Sequence, residues 1–302
     1  GDALTTGSFN TALGYGALSL DDLGSQNVAV GYNALTAQNF ATATTSLNTA
    51  VGSSAGANVS TGVNNTLIGA ASGDALTVGN SNTAVGQNSL GNDTKGDQNT
   101  AIGIGALQSQ NFTTSTDSYN TAVGAFAGGN VTTGTSNTLI GALAGVALTT
   151  GAANVALGTS ALGADTLGQH NVAIGYQALD AQNFTTSTNA YNVAVGSAAG
   201  GAVTTGVRNV MIGGLAGDGA TTIDDCVIIG YEAGGGATMT GHDNVFVGKD
   251  AGIATTSGQA NVFMGKDAGE SCTTGEQNVI IGALANVAAA DGDAVNVLGY
   301  SV

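Results

Sequence analysis

The sequence predicts an all-β fold, a parallel β-solenoid (β-roll) of about 17 coils with a 17-residue repeat. Three observations predict it. First, one glycine recurs at 14, 31, 52, 69, 86, 103, 124, 141, 158, 175, 196, 213, 230, 248, 265, 282 and 299, in steps of mostly 17 residues. Second, a short β-branched run precedes each of these glycines, which is a strand signal. Third, the chain holds 50 glycines and no proline, and only 8% of its residues are charged. Helix formers are therefore scarce, and every coil keeps its N–H donors for a ladder.

Each coil can be numbered so that this glycine is column 5. Column 1 is Asn10, Asn27, Asn48, Asn65, Asn82, Asn99, Asn120, Asn137, Asn154, Asn171, Asn192, Asn209, Asn244, Asn261 and Asn278, with Cys226 and Val295 as exceptions. Stacked coils predict an amide ladder along these Asn residues. Column 2 is Thr or Val except at Asn296, and column 4 is aliphatic throughout. Column 8 is Ala or Ser, which predicts a thin coil, and column 9 is mostly Leu or Gly. Three 21-residue coils begin at Asn27, Asn99 and Asn171, giving 72-residue super-repeats over 27–98, 99–170 and 171–242. The whole of 1–302 reads as a single shaft, roughly 80 Å long at about 4.8 Å per coil. It starts and stops in mid-repeat, which predicts a piece of a longer polypeptide.

Alternate strand residues face opposite sides. We expect columns 2 and 4 to fill the coil and column 3 to face outward. Column 3 is nonetheless apolar: Ala12, Ala29, Ala50, Leu67, Ala84, Ala101, Ala122, Leu139, Ala156, Ala173, Ala194, Met211, Ile228, Phe246, Phe263 and Ile280. An outward apolar stripe of that length predicts an oligomer joined along column 3.

The runs Asn48-Thr-Ala-Val-Gly52, Asn99-Thr-Ala-Ile-Gly103 and Asn171-Val-Ala-Ile-Gly175 resemble the head repeats of trimeric autotransporter adhesins of the YadA type. They resemble more closely the repeats of phage tail-fibre proteins. The resemblance covers essentially the whole chain and is specific for architecture more than for function. It implies a left-handed β-roll in a homotrimeric extracellular fibre, either a virion tail fibre or a bacterial cell-surface adhesin. The 17-residue coil is longer than that of the adhesin heads, so one turn is bulkier.

The net charge of −16, with Lys95, Arg208, Lys249 and Lys266 the only Lys and Arg residues, disfavours nucleic acid and anionic membranes as partners. No apolar run is long enough for membrane insertion as a helix. No catalytic constellation or cofactor motif is recognisable. His170 and His242 lie about four coils apart and read as solvated corners. Cys226 and Cys272 are two coils apart, too far for a disulfide. The pairs Asp21-Asp22 and Asp224-Asp225 read as solvated turns rather than calcium ligands. A Thr column at 13 (Thr77, Thr132, Thr204 and others) invites comparison with ice-binding solenoids, although its partner columns are mixed.

The long turns, near 37–47, 109–119 and 181–191, are the candidates for contact with a host-surface carbohydrate or protein receptor. They offer Phe40, Phe112, Tyr119, Phe184 and Tyr191 beside hydroxyl-rich sequence. The alternative for the Phe residues is that they fold back over the next coil. The function expected is a structural shaft carrying a host-binding tip, with an adhesin or an ice-binding solenoid as alternatives.

Overall fold

The chain is an all-β parallel β-solenoid of about 17 coils. The structure, a computed structural model, describes residues 1–286 and 291–299. Residues 287–290 and 300–302 of the expected shaft lie outside the described residues. The chain divides into two units, Gly1–Ala152 and Ala153–Val302.

Each coil contributes one three-residue strand made of columns 2 to 4. In the first unit these run from Thr11–Leu13 to Thr138–Ile140, and in the second from Val155–Leu157 to Asn296–Leu298. Successive strands pair in parallel with columns in register: Val28 faces Thr49, Ala29 faces Ala50 and Val30 faces Val51. The pairing is the same in the second unit, where Val245, Phe246 and Val247 face Val262, Phe263 and Met264.

The alternation of faces is as expected, but its sense is reversed. The column 3 residues Ala29, Ala50, Leu67, Ala84, Ala101, Ala122, Leu139, Ala156, Ala173, Ala194, Met211, Ile228, Phe246, Phe263 and Ile280 are all fully buried and form the coil interior. Columns 2 and 4 face outward. Column 3 is therefore no oligomer interface. The physical reason lies in column 1, which shares its face. Each Asn side chain is turned inward and bonds to the main chain there, and a buried amide is tolerated only when it is satisfied so.

The Asn column is a ladder, but mainly from side chain to backbone. The Oδ1 of Asn48 accepts the N–H of Asn65, one coil on, at 2.9 Å. Its Nδ2 donates to the Gly62 carbonyl across its own coil at 2.7 Å. This pair of bonds recurs at Asn120 and Asn192, among others. The amide thus ties each coil to the next and closes its own turn.

Column 5 must be glycine. Its φ lies near +135°, as in Gly86 (+134°) and Gly230 (+139°). Only glycine adopts that region readily. A Cβ on Gly86 would also sit 2.5 Å from the Gly103 carbonyl oxygen.

Candidate functional site

The outward face of the strands is the extended feature this fold presents. Columns 2 and 4 of every coil are half-buried or exposed. Column 4 carries Val51, Ile68, Ile102, Ile140, Leu157, Ile212, Met264 and Ile281, all among the exposed large hydrophobic residues. Column 2 beside it is Thr at seven of eight coils in the first unit, from Thr11 to Thr138. In the second unit it is Val from Val155 to Val279. The stripe in the first unit is about 38 Å long and its side-chain rows are about 7 Å apart, from the coil rise and the spacing of alternate strand residues.

The interior is positioned by bulk. Leu67 in column 3 lies over Gly56 and Gly73, where an added Cβ would meet its methyl groups at 2.7 Å. Leu139 bears the same relation to Gly128 and Gly145. In the coils of Ala29, Ala84 and Ala101, column 9 supplies the bulk as Leu35, Leu90 and Leu107, all fully buried, whereas Ala50 and Ala122 stand with Gly56 and Gly128, which Leu67 and Leu139 of the next coil cover. These Leu residues are held at left-handed φ near +50°.

Sequence reasoning missed a polar core. Asp21 is not a solvated turn residue; it is fully buried, as are Asp93 and Asp165 in the same column. Asp93 accepts the Gly96 N–H at 3.0 Å and the Gln110 Nε2 at 2.7 Å. Gln110 in turn accepts from Asn120 at 2.8 Å. Asp21 with Gln38 and Asn48, and Asp165 with Gln182 and Asn192, repeat the arrangement. The signal was present as Asp then Gln in column 12 of successive coils, the second always a long coil.

In the long turns, Phe40, Phe112 and Phe184 are buried, at 6%, 6% and 5% exposure, and so pack locally instead of meeting a receptor. The inserted residues form a second short pairing, Thr116–Asp117 against Gly96–Asp97. Tyr119 and Tyr191 are exposed. The Tyr119 hydroxyl donates to Asp117 at 3.2 Å, and the Tyr191 ring stacks on His170 at 5.1 Å. Residues 113–115 and 185–187 are exposed Thr and Ser.

The column 13 hydroxyls point into the stack. Thr77 donates to the Thr94 carbonyl at 2.9 Å, and Thr132 to the Thr149 carbonyl at 3.1 Å. Asp225 is paired with Arg208 at 2.6 Å, Lys266 with Asp267 at 2.8 Å, and Lys249 with Asp250. Among the described residues, no group of three or more His, Cys, Asp or Glu is placed to hold a metal ion.

A shallow hollow of about 410 Å³ is lined by Gln177, Asp180, Ala181, Ala198, Gly201, Ala202 and Asp218. Burial raises the pKa of both carboxyls from the ordinary Asp value, and the charge of Glu232 raises that of Asp218 further. The two do not converge: Asp180 leans over Gly163, and Asp218 over Gly235 on the far side. They make no acid–base pair across the hollow.

A scan against models of protein families and a search of curated proteins both find no match to this chain.

Proposed function

We propose that this chain is the structural shaft of an extracellular fibre, in which three copies join along the outward stripe of columns 2 and 4. The carrying observation is that stripe: apolar in column 4 of every coil and, from Val155 to Val279, in column 2 as well. A monomer exposing a continuous apolar patch of this length would be unusual. A partner that matches it must present apolar side chains at the same coil rise, and a second copy of the chain does so. Three copies around one axis enclose all three stripes. Ladder bonds and buried columns make each coil stiff, which suits a spacer holding a host-binding tip away from a phage particle.

Sedimentation of the full chain tests the reading. The expected mass is three times the 29.0 kDa of the chain. A monomer at micromolar concentration overturns it. Val193→Asp, which places a charge in the stripe, should dissociate the assembly while leaving the β spectrum intact.

The exposed Thr and Ser residues of the long turns favour a second reading, a cell-surface adhesin whose rod itself makes contacts. Binding of the isolated rod to host cells, abolished by changes in 113–115, would select it. The ice-binding reading gains less support, because the Thr hydroxyls of column 13 bond to the neighbouring coil. Absence of thermal hysteresis would remove it.

A further inference from the structure

A stripe that repeats in every coil holds copies together but does not align them. Sliding one copy by a single coil, about 4.8 Å, would rematch nearly all column 2 and column 4 contacts. Only a feature with a longer period can distinguish the correct offset. The long coils carry one. At column 6 they place Tyr32, Ile104 and Tyr176, and at the residue before the next Asn they place Leu47, Tyr119 and Tyr191. All six are between 46% and 56% exposed. Tyr32, Ile104 and Tyr176 lie just after the strand of the long coil, and Leu47, Tyr119 and Tyr191 just before the strand of the next coil.

The coils between are different. Ser53, Ala70 and Gln87 fill the first position, and Asn64, Ser81 and Gln98 the second. The bulky pairs thus recur every 72 residues, four coils apart, with small or polar edges between them. Leu47, Tyr119 and Tyr191 hold left-handed φ of 53°, 50° and 53°. Two are steadied from the side, Tyr119 by its bond to Asp117 and Tyr191 by its stack on His170. Tyr15, outside the 72-residue spacing, stacks on Tyr32 at 5.7 Å and widens that mark.

We propose that these three bulky pairs set the axial register between copies of the chain, so that it assembles with long coil beside long coil. This rests on the assembly reading above. The stripe supplies the adhesion; the pairs make an offset of one, two or three coils worse, because most bulky edges then meet small or polar ones, the exceptions being Tyr32 beside Tyr15 at one coil, Leu47 beside Phe9 at two and Tyr176 beside Tyr231 at three. An offset of four coils would leave part of each stripe uncovered.

The test uses the full chain with a spin label on Thr133→Cys, an exposed site; the two native thiols are buried. Without further changes, the assembled chain should give a single narrow set of inter-copy distances. Replacing the six residues (Y32A, L47S, I104A, Y119S, Y176A, Y191S) should keep the mass of the assembly. It should add longer distances from offsets in steps of about 4.8 Å. Unchanged distances, or a variant that becomes monomeric, would overturn the register role while the assembly reading stands. A monomer before the six changes would overturn both. Should the six-fold variant fail to fold, I104A with Y119S gives the same readout, with a smaller share of offset species.

Discussion

The coils of 27–152 and those of 209–286 fill the same interior in different ways. In the first region bulk moves between columns: Ala29, Ala84 and Ala101 go with Leu35, Leu90 and Leu107 in column 9, Leu67 and Leu139 go with Gly73 and Gly145, and Ala50 and Ala122 go with Gly56 and Gly128, covered by the Leu of the next coil. Column 12 adds buried Asp and Gln. In the second region bulk stays in column 3, as Met211, Ile228, Phe246, Phe263 and Ile280, over an unbroken run of Gly217, Gly234, Gly252 and Gly269. Phe246 and Phe263 stack at 5.0 Å. The difference teaches what the 72-residue period is. It is the period of a volume and polarity pattern, and it fades where one column carries all the bulk and a single-coil period suffices.

The largest expected effect tests that contrast. Phe263→Ala should cost about 3–5 kcal/mol, and Leu139→Ala about 2–5 kcal/mol, because each leaves a cavity. The Leu139 loss should be partly reversed by adding Gly145→Leu, since Leu already occupies this column with the same φ sign at Leu107. Denaturant unfolding of the single and double variants checks it. A double variant no better than L139A would break the account of alternating bulk.

Next in size is column 12. Asp93→Ala leaves the Gly96 N–H and the Gln110 amide without their acceptor and should cost about 2 kcal/mol. Thr255→Val, in the same column of the second region, removes only a hydroxyl bond to the Cys272 carbonyl and should cost less, about 1 kcal/mol. Equal losses would mean that the Asp network is no more structural than a single hydroxyl.

The smallest effect, absent at neutral pH, concerns the second region's break in the Asn column. Cys226 is fully buried and accepts the Asn244 N–H at 3.5 Å, and burial pushes its thiol pKa up to about 11. The unfolded thiol ionises at lower pH than the folded one. Its contribution is therefore intact below the ordinary thiol range and lost as pH rises through about 11. Unfolding followed from neutral pH to that value should show a loss of about 2 kcal/mol at most, absent in Cys226→Asn. An identical pH profile for the two would exclude the thiol as its cause.

How much was legible depended on which physical quantity carried the signal. Coil length, strand position and the glycine column follow from spacing alone, and the structure has all three. The buried Phe of each long turn was one of two open alternatives, since an aromatic beside hydroxyls suits either a surface or a fold-back. The Asp–Gln core was written in column 12 but looked like scattered surface charge, because partners 17 residues apart meet only once coils are stacked.

The sequence by itself determined the repeat, the parallel stacking and the rule that columns 1 and 3 share one side while 2 and 4 share the other. Only the tertiary structure decided which side is inside. Each side carries one apolar column, 3 or 4, beside a column with polar residues, so hydrophobicity could not break the tie. Closure of the coil did: it turns the Asn amides inward onto main-chain donors and acceptors, and column 3 follows them into the core. The outward stripe therefore belongs to columns 2 and 4, and column 3 to the core.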